Sequence, residues 1–124
     1  MENLTINKTE KTPSIDFSIN GQLRIEGRSI PENSIGFYEK PIAWLEEYRR
    51  TRPAKVELHI SLEYFNTSSG KLLLSLFRHT ELLKMDGTDV KIFWYYNEHD
   101  EDMTEAGQDF ESIVKLPFKY VQLV

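Results

Sequence analysis

Residues 56–63 alternate between apolar and polar side chains, and this alternation is the strongest constraint on the fold of the chain. Val56, Leu58, Ile60 and Leu62 are apolar, whereas each residue between them is polar or charged. A period of two is typical of a β-strand with one buried face. A parallel strand covered by helices on both faces would be almost continuously apolar. We therefore expect a sheet that helices cover mainly on one face and leave open on the other.

Strand and helix patterns alternate along the rest of the chain. Two short alternating segments flank Asn20-Gly21, a dipeptide that strongly favours a β-hairpin turn. Further segments have helix or strand periodicity, with approximate bounds 37–50 (helix, after a loop and cap at 31–34), 67–85 (helix), 90–96 (strand), 100–114 (helix) and 118–124 (strand). The order β-β-α-β-α-β-α-β predicts a single mixed α/β domain over residues 1–124. Residues 1–12 should form an edge strand or a loose arm, and Pro41 should kink the first helix or distort its first turn.

The composition excludes several classes of protein. The chain has 124 residues and no cysteine, which excludes disulfides, thiol catalysis and cysteine-ligated zinc. A net charge of −5 without a basic stripe argues against nucleic-acid binding. No secretory leader and no apolar run of membrane-spanning length is visible, so we expect a cytoplasmic protein. No nucleophile–base pair, phosphate-binding glycine loop or cofactor motif stands out, so we predict neither a catalytic site nor a cofactor.

Three consecutive hydroxyl residues stand where a predicted strand gives way to the second predicted helix. Thr67, Ser68 and Ser69 follow Asn66, and all of these residue types can cap a helix N-terminus. A phosphate group is also favoured there, because free N–H groups and the positive end of the helix dipole attract anions. The pattern alone leaves open whether this segment is a helix cap or a phosphorylation switch.

A second polar loop, Pro31-Glu32-Asn33-Ser34, precedes the first predicted helix. Asn33 or Ser34 can serve as the N-cap residue of that helix. The loop can also contact a partner, since binding residues often lie on loops. The two functions are compatible.

The open sheet face raises two further hypotheses. His59 lies there among acidic side chains, so a metal site can be considered, although a solvated polar face is the simpler interpretation. Phe93 and Tyr95 would expose aromatic surface suited to a partner or a second copy of the chain, unless the amino-terminal arm covers them. The acidic segment 98–102 is interpreted as a helix start, where carboxylates suit the dipole. We predict no metal site.

Two groups of residues resemble known protein families. The predicted strand that runs into segment 65–70 (Phe-Asn-Thr-Ser-Ser-Gly) and then a leucine-rich helix resembles the phosphorylation loop of STAS domains, the fold of anti-sigma-factor antagonists. Over roughly residues 12–123 the chain resembles the SiaC family of biofilm-regulation phosphoproteins. The segments that carry this resemblance are Ile30-Pro31-Glu32-Asn33-Ser34, Phe37-Tyr38, Trp44-Leu45, residues 62–69, Trp94-Tyr95-Tyr96 and Leu116-Pro117-Phe118.

The resemblance implies a STAS-like domain with a regulatory rather than a catalytic function. SiaC-like proteins bind and activate a diguanylate cyclase when unphosphorylated, and so raise cyclic di-GMP. A Ser/Thr protein kinase and a PP2C-type phosphatase set their phosphorylation state. Carried over to this chain, the phosphoacceptor is Thr67. Ser68 and Ser69 are less favoured, although the broader STAS pattern favours Ser69.

The resemblance also implies which residues contact the partner. They are Pro31, Glu32, Asn33, Ser34, Asn66, Thr67 and Ser68. Two alternative functions stay open at this point: an anti-sigma-factor antagonist, and a small metal- or ligand-binding enzyme built around His59. A homodimer also stays open.

Overall fold

The computed structural model describes residues 1–124 as one sheet with three helices. In chain order the elements are β1 (Leu4–Ile6), β2 (Ser14–Phe17), β3 (Gln22–Ser29), α1 (Ser34–Arg50), β4 (Lys55–Phe65), α2 (Thr67–Met85), β5 (Asp89–Asn97), α3 (Glu101–Ile113) and β6 (Phe118–Leu123). The strands are arranged in the order β1-β2-β3-β4-β5-β6. Strand β2 is antiparallel to both of its neighbours, β1 and β3, and strands β3 to β6 are parallel to one another. The predicted mixed α/β fold is confirmed, and the amino-terminal segment contributes an edge strand.

All three helices lie on one face of the sheet. Strands β3 to β6 are neighbours in chain order, and each connection between them contains one helix. Because such connections are right-handed and always advance toward β6, every helix packs on the same side. Leu58 and Ile60 of β4 are buried beneath the helices, whereas Glu57 and Ser61 on the opposite face are partly exposed. The prediction that helices cover one face is confirmed.

The core is centred on Trp94 of β5. Its ring is fully buried and lies 6.5 Å from Phe77 of α2 and 5.6 Å from Phe110 of α3, measured between ring centroids. The indole Nε1 donates to the carbonyl of Met103 at 2.9 Å, which satisfies the polar atom of the side chain. Helix α3 can approach this closely because Gly107 has no side chain. A Cβ atom at that position would lie 2.7 Å from the indole ring.

The amino-terminal hairpin follows the sequence prediction except near its turn. The predicted turn at Asn20-Gly21 is present, and Gly21 has a left-handed φ of 95° that favours glycine. Strand β2 ends two residues before Ile19, which is 52% exposed rather than part of the alternating strand. Strand β1 pairs with β2 at a sheet edge four strands away from β5. The arm therefore does not cover Phe93 and Tyr95.

Helix α1 runs without interruption through Pro41. Asn33 is its N-cap: Oδ1 accepts the N–H of Gly36 at 3.1 Å, and the carbonyl accepts the N–H of Phe37 at 3.0 Å. The first turn is helical, so the irregular first turn that was one of the two effects expected from Pro41 is absent, and a kink at Pro41 stays a prediction. A proline at this depth removes a single helical N–H donor, and the packed helix tolerates that loss. None of the three helices combines the length and the hydropathy needed to cross a bilayer.

Candidate functional site

The hydroxyl segment lies where β4 ends and α2 begins. Asn66 is the N-cap residue of α2, and its Oδ1 accepts the N–H of Ser69 at 2.9 Å. Thr67 is the first residue of the helix, and its exposed side chain forms no hydrogen bond within the fold. The capping function therefore belongs to Asn66, and the hydroxyl of Thr67 is free to react or to contact a partner.

Ser69 has the opposite environment, since it is fully buried in a hydroxyl network. Its Oγ donates to the carbonyl of Ser29 at 3.0 Å and accepts from the hydroxyl of Ser29 at 2.8 Å. The hydroxyl of Tyr38 lies 2.6 Å from Ser29 Oγ and is the donor in that contact, because Ser29 already donates to Ser69. Burial raises the pKa of Tyr38 to about 12, so this donor keeps its proton. Ser69 is thus a structural residue that a kinase cannot reach in this fold.

Ser68 connects the two predicted loops. Its exposed side chain donates to Asn66 Oδ1 at 3.2 Å, and its Oγ lies 2.6 Å from Ser34 Oγ at the start of α1. Since Ser68 already donates to Asn66, Ser34 is the donor in the contact between the two serines. This contact brings the loop before α1 to the first turn of α2, so the structure assembles the two predicted segments into one surface.

The loop before α1 divides into buried and exposed residues. Pro31 and Ser34 are buried, so they hold the shape of the loop. Glu32 and Asn33 are exposed, and Glu32 forms a single loose ion pair with Lys11 at 3.5 Å. An exposed pair of this kind adds little to stability. The side chains that this loop exposes to solvent are therefore those of Glu32 and Asn33.

A β-bulge near the end of β4 changes which side chains face outward. Leu62 pairs with Gly27, but Tyr64 pairs with the next residue, Arg28, which leaves Glu63 without a partner in β3. Phe65 consequently points into the core, and Tyr64 is 54% exposed, three residues before Thr67. The sequence pattern alone does not indicate that Tyr64 is a surface residue, because the alternation through 56–63, continued by two residues, places it beneath the helices.

Ile35 is a second exposed apolar residue that no sequence pattern indicates. It follows Ser34 in the first turn of α1 and is 74% exposed. The contact between Ser34 and Ser68 places this turn beside the start of α2. A large apolar side chain without a packing function in the fold is available to a partner.

His59 occupies the open sheet face, and its polar atoms are satisfied there. Its ring is 6% exposed and stacks on Phe93 with a centroid separation of 4.6 Å. Nδ1 lies 2.9 Å from the hydroxyl of Tyr95, and Nε2 lies 3.1 Å from Gln22 Oε1. Burial lowers the pKa of His59, and the Arg24 guanidinium lowers it further, so the ring is held neutral. No group of three or more His, Asp or Glu side chains in the chain has the arrangement of a metal site.

Fold and site together define a class of protein: a small mixed α/β domain with a free hydroxyl at a helix start, next to exposed apolar side chains. A protein-family model described as "SiaC family regulatory phosphoprotein" matches residues 6–123. The chain belongs to the SiaC family, as the residue patterns predicted.

Individual relatives agree with this assignment. The chain is 32% identical over 120 residues to an uncharacterized protein of Pseudomonas aeruginosa (strain UCBPP-PA14). The aligned residues make up 95% of this chain and 94% of that protein. It resembles the structure of SiaC of Pseudomonas aeruginosa with a TM-score of 0.89 and 29% identity, covering 99% of this chain and 100% of SiaC. It also resembles SiaC in the crystal structure of the diguanylate cyclase SiaD with its activator SiaC, with a TM-score of 0.90, 30% identity and coverage of 97% and 99%.

Proposed function

We propose that this chain, with Thr67 unmodified, binds and activates a diguanylate cyclase in the cytoplasm, and that phosphorylation of Thr67 releases the cyclase. A Ser/Thr protein kinase and a PP2C-type phosphatase would set the phosphorylation state. The observation that carries the proposal is the free, exposed hydroxyl of Thr67, next to two serines that are already engaged by the fold. The relative SiaC, whose whole length this chain matches, activates the cyclase SiaD.

The position of Thr67 explains how a phosphate can act without unfolding the domain. The first N–H groups of a helix lack intrahelical partners, and the dipole favours negative charge there. Lys71, one turn further along α2, is exposed and forms no salt bridge, so it adds a positive charge on the same side of the helix. We expect the fold to tolerate the phosphate group.

A partner packed against Thr67 would not tolerate the same group. Phosphorylation adds about −1.5 to −2 charges at pH 7. Burying a dianion without enough compensating cations costs several kcal/mol, which is more than the helix start gives back. The phosphate should therefore break the complex and leave the domain intact.

Binding assays with three forms of the protein test this proposal. Wild type and Thr67→Ala should bind the cyclase and raise its activity, whereas Thr67→Asp should bind more weakly and activate less. Thr5→Asp is a matched control, because it introduces the same charge at an exposed threonine of the edge strand β1, away from this surface, and should bind like wild type. Equal binding by folded wild type and Thr67→Asp would contradict the proposal. Binding to a kinase-type anti-sigma factor instead of the cyclase would support the anti-sigma-factor-antagonist alternative.

A further inference from the structure

A groove of about 350 Å³ lies between the end of β4 and the start of α3. Its apolar part consists of Tyr64, Phe65, Met103 and Ala106. We call it the β4–α3 groove. It adjoins the switch, because Phe65 is two residues before Thr67 and its ring lies against the first turn of α2 at Gly70.

The bulge in β4 is what opens this groove. The unpaired Glu63 turns Phe65 inward, where its ring lies 6.3 Å from Trp94 and 6.0 Å from Phe110. Tyr64 is left as an exposed aromatic wall that the core does not use. β-Bulges are frequent beside functional sites because they redirect a side chain in this way.

The charged residues of the groove are all acidic. They are Glu63, Asp100 and Asp102, and no cationic side chain lines the groove. Asp100 is engaged as the N-cap of α3, where its Oδ1 accepts the N–H of Met103 at 3.1 Å. Glu63 and Asp102 are exposed and form no salt bridge. The groove thus has an apolar wall with two free carboxylates beside it.

We propose that the β4–α3 groove binds a basic segment of the cyclase, with the stem of a lysine or arginine side chain against Tyr64 and its cationic head at Glu63 and Asp102. Long cationic side chains bury their methylene stems on apolar surface while the charge stays with polar partners. A cation near the Tyr64 ring adds a favourable interaction with its π-system. This inference rests on the proposed function, since it takes the cyclase as the occupant.

The β4–α3 groove and the surface around Thr67 contribute to binding in different ways. Exposed ion pairs at the groove steer the basic segment and add modest affinity. Close packing over Thr67 is what a phosphate would prevent, because an uncompensated dianion is costly to bury. Extra attraction at the groove would not offset that cost, so the acidic groove is compatible with release on phosphorylation.

Titration calorimetry of the full chain with the diguanylate cyclase tests the groove. Tyr64→Ala and the filling variant Ala106→Leu should each weaken binding about tenfold, the loss typical of an interface anchor. The double variant Glu63→Gln/Asp102→Asn should bind about threefold more weakly, because exposed ion pairs add little affinity, and its affinity should depend less on salt than that of wild type. Ile19→Ala and Glu47→Gln/Asp109→Asn change matched exposed residues outside the groove, so they should bind like wild type.

The outcomes separate the groove from the wider proposal. In one outcome, the wild type binds the cyclase and all folded groove variants bind it with the same affinity and salt dependence. That result would contradict binding at the groove but would leave the proposed function intact. Failure of the wild type itself to bind the cyclase would overturn both. If the groove variants altered only self-association in sedimentation runs of the isolated chain, the occupant would be a second copy and the inference would be wrong.

Discussion

Thr67, Ser68 and Ser69 are consecutive, but their hydroxyls have three different environments. Thr67 is exposed without a hydrogen bond, Ser68 contacts Ser34, and Ser69 is fully buried against Ser29. The contact of Ser68 is with a residue 34 positions away in the chain, and that of Ser69 is with a residue 40 positions away. At the scale of single residues, the fold therefore leaves Thr67 as the one exposed hydroxyl of the three that has no hydrogen-bond partner.

The buried hydroxyl network should contribute measurably to stability. Tyr38→Phe keeps the ring but removes the donor to Ser29 in a fully buried position. We expect it to lower the free energy of unfolding by about 1–2 kcal/mol, the cost of losing a buried hydrogen-bond partner. Urea unfolding measures this change. Tyr64→Phe removes an exposed hydroxyl without a hydrogen bond and should have almost no effect; equal losses in the two variants would contradict the network.

His59 should make stability depend on pH. Its pKa in the folded chain lies below the ordinary value of about 6.5, so the unfolded chain takes up this proton at a higher pH than the folded chain. The stability gained from the neutral ring is complete above about pH 6.5 and decreases as the pH falls from there toward the folded pKa. Urea unfolding across this range should show a steeper loss for wild type than for His59→Gln. Parallel curves for the two proteins would show that His59 is not the cause.

At the scale of helices and strands, periodicity predicted the element order but not the bulge. Alternating residues within a strand and apolar stripes on a helix are local signals, so they can be read from neighbouring positions. The bulge at Glu63 depends on how Phe65 packs against Trp94 and Phe110, and these residues lie in other elements. The same reason applies to the start of α2. Asn66 and Thr67 are both suitable N-cap residues, and the position where β4 ends determines that Asn66 is the N-cap.

The packing of α3 on β5 can be tested at Gly107. A Cβ atom there would lie 2.7 Å from the Trp94 indole, and this ring is held by its bond to Met103. Gly107→Ala should therefore lower the free energy of unfolding by about 1–3 kcal/mol, because overpacking outweighs the better helix propensity of alanine. Gln108→Ala, at an exposed position of the same helix, is the control and should be nearly neutral. A Gly107→Ala protein as stable as wild type would mean that α3 packs less closely than described.

At the scale of the whole molecule, the sheet topology places Thr67 and the exposed apolar side chains near it at one end of the sheet, where the parallel strands finish. Strands β3, β4 and β5 are parallel, so their carboxyl ends and the helix starts that follow them lie side by side. This carboxyl end of the sheet carries Thr67, Ile35, Tyr64 and the β4–α3 groove. The family pattern predicted Thr67 and the loop before α1, whereas Ile35 and Tyr64 became evident only from their exposure in the fold.

Ile35 should matter for binding rather than for folding. Its side chain is 74% exposed, so Ile35→Ala removes little buried area and should change the free energy of unfolding by less than about 0.5 kcal/mol. If the partner covers this edge, the same change should weaken cyclase binding severalfold, as measured by calorimetry. Met85→Ala, another highly exposed apolar residue at the far end of α2, is the matched control. Equal affinities for both variants would place Ile35 outside the interface.

In the proposed mechanism, one phosphate on Thr67 releases the cyclase without unfolding the domain. The most direct measurement compares the affinity of the cyclase for the unmodified chain and for the chain carrying one phosphate, with the site verified by its absence in Thr67→Ala. We expect at least about tenfold weaker binding of the phosphorylated chain, corresponding to about 1.4 kcal/mol, together with an unfolding curve like that of the unmodified chain. Equal affinity of the two folded forms would contradict release of the cyclase by phosphorylation of Thr67.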